Sequence, residues 1–234
     1  MAEIIEIKGL KKSFGKLEVL NGVDCDFPKG KVISVLGPNA SGKTTLIKSI
    51  LGMVIPDDGQ ILFHGKPIAN TFEYKSNIGY MPQIGRYPQN MKMGQLFDMM
   101  QDLRKSGIQD NDLIRLFELE NMFNKAMHTL SGGTRQKVSA ALAFMFNPEV
   151  LILDEPSAGL DPLAAEHLKD KIKEQKEKGK LILVTSHIMS EVDEIADSIL
   201  YLFEGKVRFY KPLEQIKVET GEEKLGKALA RILN

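Results

Sequence analysis

Residues 32–44 read Val-Ile-Ser-Val-Leu-Gly-Pro-Asn-Ala-Ser-Gly-Lys-Thr: a short β-rich run, an eight-residue loop that ends on Thr44, and the start of a helical pattern. Glycines at 37 and 42 allow backbone N–H groups to turn inward and cradle phosphate oxygens. The helix that begins at Lys43 adds positive potential at its N-terminus. The candidate cradle is Gly37, Pro38, Asn39, Ala40, Ser41, Gly42, Lys43 and Thr44, with Thr45 adjoining. Lys43 suits the β- and γ-phosphates, and the Thr44 hydroxyl suits Mg²⁺. A glycine-rich turn with no ligand is the bland alternative. The strand before it and the helix after it argue for the cradle.

Downstream, Leu151-Ile152-Leu153-Asp154-Glu155-Pro156 is an apolar strand that ends in two acids. Ligands of a parallel sheet sit beyond the carboxyl ends of its strands. Asp154 there would hold Mg²⁺, and Glu155 would face an attacking water as general base or orienter. An acidic strand end is by itself often a solvated edge. The phosphate loop upstream is what favours the catalytic reading.

Further outward, Ile4 to Ile7, Glu18 to Phe27, Gln60 to Phe63, Val150 to Leu153, Leu181 to Thr185 and Ile199 to Phe203 read as strands. Helices are expected from Lys43 to Leu51 and from Pro162 to Lys178, where Asp161 is the N-cap and Gly179 the stop. A short amphipathic helix is expected from Glu222 to Leu233. Strands that alternate with helices imply an α/β fold, with a mainly parallel sheet covered by helices on both faces. Residues 85–145 differ: they hold most of the eleven methionines and show helical spacing such as Leu113, Leu116, Phe117. They read as a helical insert, which leaves 1–84 and 146–234 as the core.

Composition narrows the class. The chain has 234 residues, and 31 basic side chains balance 31 acidic ones. No whole-protein basic field for nucleic acid is present. The single cysteine, Cys25, excludes an internal disulfide and fits a reducing compartment. The longest apolar run, Ala140 to Phe146, is far short of the roughly 20 residues that span a bilayer. No secretory signal opens the chain.

Leu130-Ser131-Gly132-Gly133-Thr134-Arg135-Gln136-Lys137 resembles the signature motif of the ATP-binding-cassette (ABC) family. Other marks follow in that family's order: Gln83 in Gly79-Tyr80-Met81-Pro82-Gln83, Ser157 to Asp161 after the acids, and His187 in Thr185-Ser186-His187. The resemblance covers essentially the whole chain. It implies an ABC-type phosphate-loop fold, with an antiparallel β region at the N-terminus and a helical subdomain that carries the signature. It implies ATP and Mg²⁺ as cofactors, with Thr44, Gln83 and Asp154 toward the metal. Glu155, His187 and Gln83 are the implied catalytic residues, and Phe14 stacks on adenine. It also implies a homodimer with two composite ATP sites, in which Ser131, Gly132 and Gly133 of one copy face the other copy's nucleotide.

The implied partner is an integral-membrane permease, with this subunit peripheral on the cytoplasmic face of the inner membrane and no nucleic-acid partner. A soluble cassette acting on ribosomes or DNA and a non-hydrolysing switch are the other readings. The run Ile78 to Pro88 resembles exporter-type cassettes, more narrowly the bacterial cassette of copper-site maturation for nitrous oxide reductase. Two positions depart from the pattern. Ala40 stands where glycine is commonest, which is costly only if φ must be positive. Thr134 replaces the commonest glutamine.

Bland readings remain for single residues. Phe14 alone is a core aromatic, Gln83 a solvated amide and His187 a satisfied strand-end histidine. His64, His128 and His167 match nothing. Met91, Met93, Met99 and Met100 are soft enough for Cu(I), but are read as adaptable packing surface toward the permease.

Overall fold

The computed structural model describes residues 3–104 and 109–233. Positions 1, 2, 105–108 and 234 of the expected core and insert lie outside the described residues. Strand β1 (Glu3–Phe14) turns at Gly15-Lys16 into β2 (Leu17–Pro28), followed by β3 (Val32–Leu36), helix α1 (Lys43–Ile50), β4 (Asp58–Phe63), β5 (Lys66–Pro67) and β6 (Ile78–Met81). Helices α2 (Met93–Arg104), α3 (Asp112–Leu116) and α4 (Gly132–Phe144) come next. The chain then alternates: β7 (Val150–Asp154), α5 (Pro162–Glu177), β8 (Leu181–Thr185), α6 (Met189–Ile195), β9 (Ser198–Phe203). It closes with β10 (Lys206–Pro212), α7 (Leu213–Thr220) and α8 (Leu225–Leu233).

Two sheets form. β2-β1-β4-β5 is antiparallel throughout. The six-stranded sheet has the order β10-β9-β3-β8-β7-β6, with every neighbour parallel except β10 on β9. β3, β7 and β8 are buried at every position, as strands covered on both faces must be. Period-2 geometry sorts their side chains. Ile33, Val35, Ile152, Leu181 and Leu183 join α1 and the antiparallel sheet on one face. Val32, Leu151, Leu153, Ile182 and Val184 join the helices on the other. One face is therefore covered by a sheet as well as a helix, not by helices alone.

The expected helix over 162–178 starts as read. The Asp161 carboxylate accepts the Ala164 N–H at 2.9 Å, Pro162 opens the first turn and Gly179 takes a φ of 80°. The expected helix over 222–233 begins three residues later and buries Leu225, Ala228 and Leu229 at helical spacing. The structure also forms β6, β10 and α7, which the pattern did not single out.

The reading of the methionines as a docking surface needs correction. Met93 is fully buried, in one cluster with Leu96, Phe97, Leu151 and Leu153, and Met91, Met99 and Met100 pack against that cluster. The stripe Met93, Leu96, Phe97 is the inward face of α2. A charge at Met93 would therefore break the core before it touched any partner. Among the described residues no helix is long and apolar enough to cross a membrane.

Candidate functional site

β3, β8, β7 and β6 run parallel, so Leu36, Thr185, Asp154 and Met81 end on one edge of the sheet. A cleft of about 290 Å³ opens there. It is lined by Asn39 to Thr45, Gln83, Asp154, Glu155, Thr185 and His187, with Leu17 and Val19 from the antiparallel sheet.

The phosphate loop is shaped by close packing. Gly37 has a φ of 148°, and a Cβ there would sit 2.1 Å from the Leu202 carbonyl oxygen. Gly42 caps α1 with a φ of 103° and contributes no side-chain acceptor. The first-turn N–H groups of α1 are therefore left for an anion, with no acidic side chain in that turn. Lys43 Nζ lies across the loop and donates to the carbonyls of Gly37 at 2.7 Å and Pro38 at 2.9 Å. Burial lowers its pKa, and the Glu155 and Asp154 carboxylates push the other way. Phosphate oxygens offer the same cation a stronger, charge-assisted partner. Ala40 has a φ of 62°, so the departure from glycine falls on a position that does require positive φ.

The two acids are held by β8. Asp154 is buried and its Oδ1 accepts the Thr185 hydroxyl at 2.5 Å. The Glu155 N–H donates to the Thr185 carbonyl and hydroxyl, each at 3.1 Å. Glu155 itself has a φ of 50°, a strained conformation for a side chain without glycine's freedom. Its Oε2 accepts the His187 backbone N–H at 3.2 Å, and Oε1 lies 3.3 Å from His187 Nε2. The Gln136 amide, buried in α4, donates to the Glu155 carbonyl at 3.3 Å. Strain at Glu155 is thus matched by five polar contacts, to Thr185, His187 and Gln136, that fix it at the cleft.

Thr44, Gln83 and Asp154 bring a hydroxyl, an amide and a carboxylate to one cleft. Such hard oxygen donors suit Mg²⁺, which needs only one or two carboxylates beside phosphate and water. The one cluster of three acids among the described residues lies elsewhere, at Asp110, Asp112 and Glu174. Lys171 Nζ bridges it at 2.7, 2.8 and 3.1 Å, which gives it a structural role.

Not every expected residue meets in this cleft. Phe14 is 52% exposed on the β1–β2 hairpin, so it is not a core aromatic, but Leu17 and not Phe14 lines the cleft. Ser131, Gly132 and Gly133 also lie outside it. Ser131 caps α4: its Oγ accepts the Thr134 N–H at 3.1 Å and lies 2.8 Å from the Thr134 hydroxyl. Ser131 and Gly132 are exposed, and the first turn of α4 holds no acid. This is a second helix end, outside the cleft, whose dipole and lack of first-turn acids suit an anion. Thr185 and Gln136 were not singled out from the sequence. Their roles depend on strand and helix neighbours, and only the position of Thr185, two residues before His187 at a strand end, hints at one.

Residues 20–158 match the family described as ABC transporter. The lantibiotic transport ATP-binding protein SrtF of Streptococcus pyogenes is 33% identical over 208 residues, 87% of this chain and 89% of its own length. The Nod factor export ATP-binding protein I of Rhizobium sp. (strain N33) is 32% identical over 210 residues, 86% of this chain and 68% of its own. A solved structure described as the ATP binding subunit of an ABC transporter superimposes with a TM-score of 0.91 at 28% identity, covering 99% of this chain and 100% of that one. With the phosphate loop, paired acids and signature helix in place on this fold, the chain belongs to the ABC transporter family as its ATP-hydrolysing cassette.

Proposed function

We propose that two copies of this chain close head to tail on two ATP molecules and that the cycle drives an exporter-type membrane permease. The observation that carries the dimer is the α4 N-terminus, exposed at Ser131 and Gly132, outside the chain's own cleft. A second copy can bring that helix end to a γ-phosphate already held by Lys43 and the α1 N-terminus. The pair is then two-fold symmetric and self-complementary.

In each composite site Phe14 stacks on the base, the loop from Gly37 to Thr45 holds the phosphates, and His187 and Gln83 sense the γ-phosphate. Thr44, Asp154 and Gln83 would hold Mg²⁺, which would supply neutralisation of phosphate charge. Glu155 orients the attacking water and takes its proton as the bond from the γ-phosphorus to the ADP oxygen breaks. Loss of the bridging charge lets the pair open.

The exporter reading rests on relatives named for lantibiotic transport and Nod factor export. It places the subunit on the cytoplasmic face of the inner membrane. The narrower copper-maturation reading rests on the Ile78 to Pro88 resemblance alone. The inward packing of Met93 takes it out of a direct copper role.

Glu155→Gln tests the site. It should bind ATP, hydrolyse it about 10²–10⁴-fold more slowly, and run as a dimer with ATP on size analysis. Normal turnover would show that Glu155 is not the base. Slow turnover with no ATP-dependent dimer would count against the composite site.

A further inference from the structure

Gln83 lines the cleft and Ser131 does not, yet the segments that follow and precede them are joined side to side. Tyr87, four residues after Gln83, places its hydroxyl 2.6 Å from Ser139 Oγ. Ser139 is buried on α4, the helix that Ser131 caps. A Cβ at Gly85 would sit 2.4 Å from the same Ser139 oxygen and 2.7 Å from the Tyr87 ring, so the loop lies directly on that helix. Beyond Tyr87 the chain pairs with the segment that leads to the signature. Met127 N–H donates to Met91 O at 2.9 Å, Met93 N–H to Lys125 O at 2.9 Å and His128 N–H to Gln89 O at 3.1 Å. His128 Nδ1 adds a 2.8 Å contact to the same Gln89 oxygen. Burial pushes the Tyr87 phenol up, so its proton is retained.

We propose that Tyr87 is a positioning residue: its bond to Ser139 ties Gln83 to the orientation of Ser131-Gly132-Gly133. Nucleotide in a chain's own cleft then sets the face which that chain offers to its partner's nucleotide. The proposal rests on the composite-site reading and extends it, since it makes the two sites interdependent through named groups on each chain. The tether is one part-buried neutral hydrogen bond, whose net worth corresponds to a factor of about five in an equilibrium.

The test uses full-length chains in the Glu155→Gln background. Tyr87→Phe and Ser139→Ala each remove one hydroxyl and keep the fold. Three quantities are measured: the ATP concentration at half-maximal dimer, the ATP affinity of the dilute single chain, and Tm. Each variant should raise the half-dimer concentration about fivefold or more, with single-chain affinity unchanged and Tm within a few degrees. The double variant should be no worse than the weaker single, since both remove one bond. A half-dimer concentration unchanged in both singles overturns the tether, as does single-chain affinity that falls by the same factor. If Glu155→Gln alone never dimerises, the composite site fails and the tether with it, an outcome distinct from a dimer indifferent to Tyr87.

Discussion

Ala40 and Phe14 show how single positions divide between backbone and ligand. Alanine at a φ of 62° carries a left-handed conformation that glycine adopts freely. Ala40→Gly should therefore stabilise the fold by about 1 kcal/mol, with ATP affinity little changed because the loop N–H remains. A denaturation midpoint that stays put or falls would mean that the loop has absorbed the strain elsewhere. Phe14 is half exposed, with Lys12 Nζ 5.4 Å from its ring centroid, so removing it leaves no core cavity. Phe14→Ala should weaken nucleotide binding by about 1–3 kcal/mol, for ATP and GTP alike, since stacking tolerates any base. Preserved affinity with a lowered Tm would return Phe14 to a packing role. Lys43, Asp154 and Glu155 are legible in the sequence because each belongs to a local run of fixed spacing. Thr185 is not, because its contacts to Asp154 and Glu155 exist only once β8 lies beside β7.

At the scale of elements, the parity of β3, β7 and β8 assigns each apolar side chain to one of two cores, and the apolar runs alone announce those strands. β10 escapes because charged Lys206 and Arg208 interleave with the partly buried Val207 and Phe209. α7 escapes because it starts at once after Pro212 with no turn between. The seam between α3 and α5 holds a different lesson, in charge. Burial opposes the Lys171 ammonium, but the hydrogen bonds it donates to the Asp110, Asp112 and Glu174 carboxylates outweigh that and hold its pKa up. Among the described residues Lys180 donates its one side-chain hydrogen bond to the Asn147 amide oxygen, and burial with the Lys178 charge brings its pKa down to about 8. Its folded pKa lies below its unfolded one, so the charged form destabilises the fold. That penalty is fully present below about pH 8 and is relieved as pH rises toward the unfolded value. Lys180→Met removes it at every pH. The Tm difference between this variant and the wild type should therefore shift in the wild type's favour between pH 7 and pH 10. A difference that stays constant across that range would show that Lys180 keeps its ordinary pKa.

At the scale of the whole molecule, two helix N-termini of a kind suited to an anion lie apart: that of α1 beside Lys43 in the cleft, and that of α4 at Ser131 outside it. The motifs were readable one by one, but their separation became visible only in the fold. In the proposed head-to-tail pair the two ends would meet on each ATP. The most direct measurement mixes two inactive chains, Lys43→Ala and Ser131→Arg. A mixed dimer places both defects in one composite site and leaves the other intact. ATPase activity should return in the mixture, above either parent alone. Ser131→Arg that hydrolyses ATP normally by itself, or a mixture that forms mixed dimers and stays inactive, would contradict the composite site.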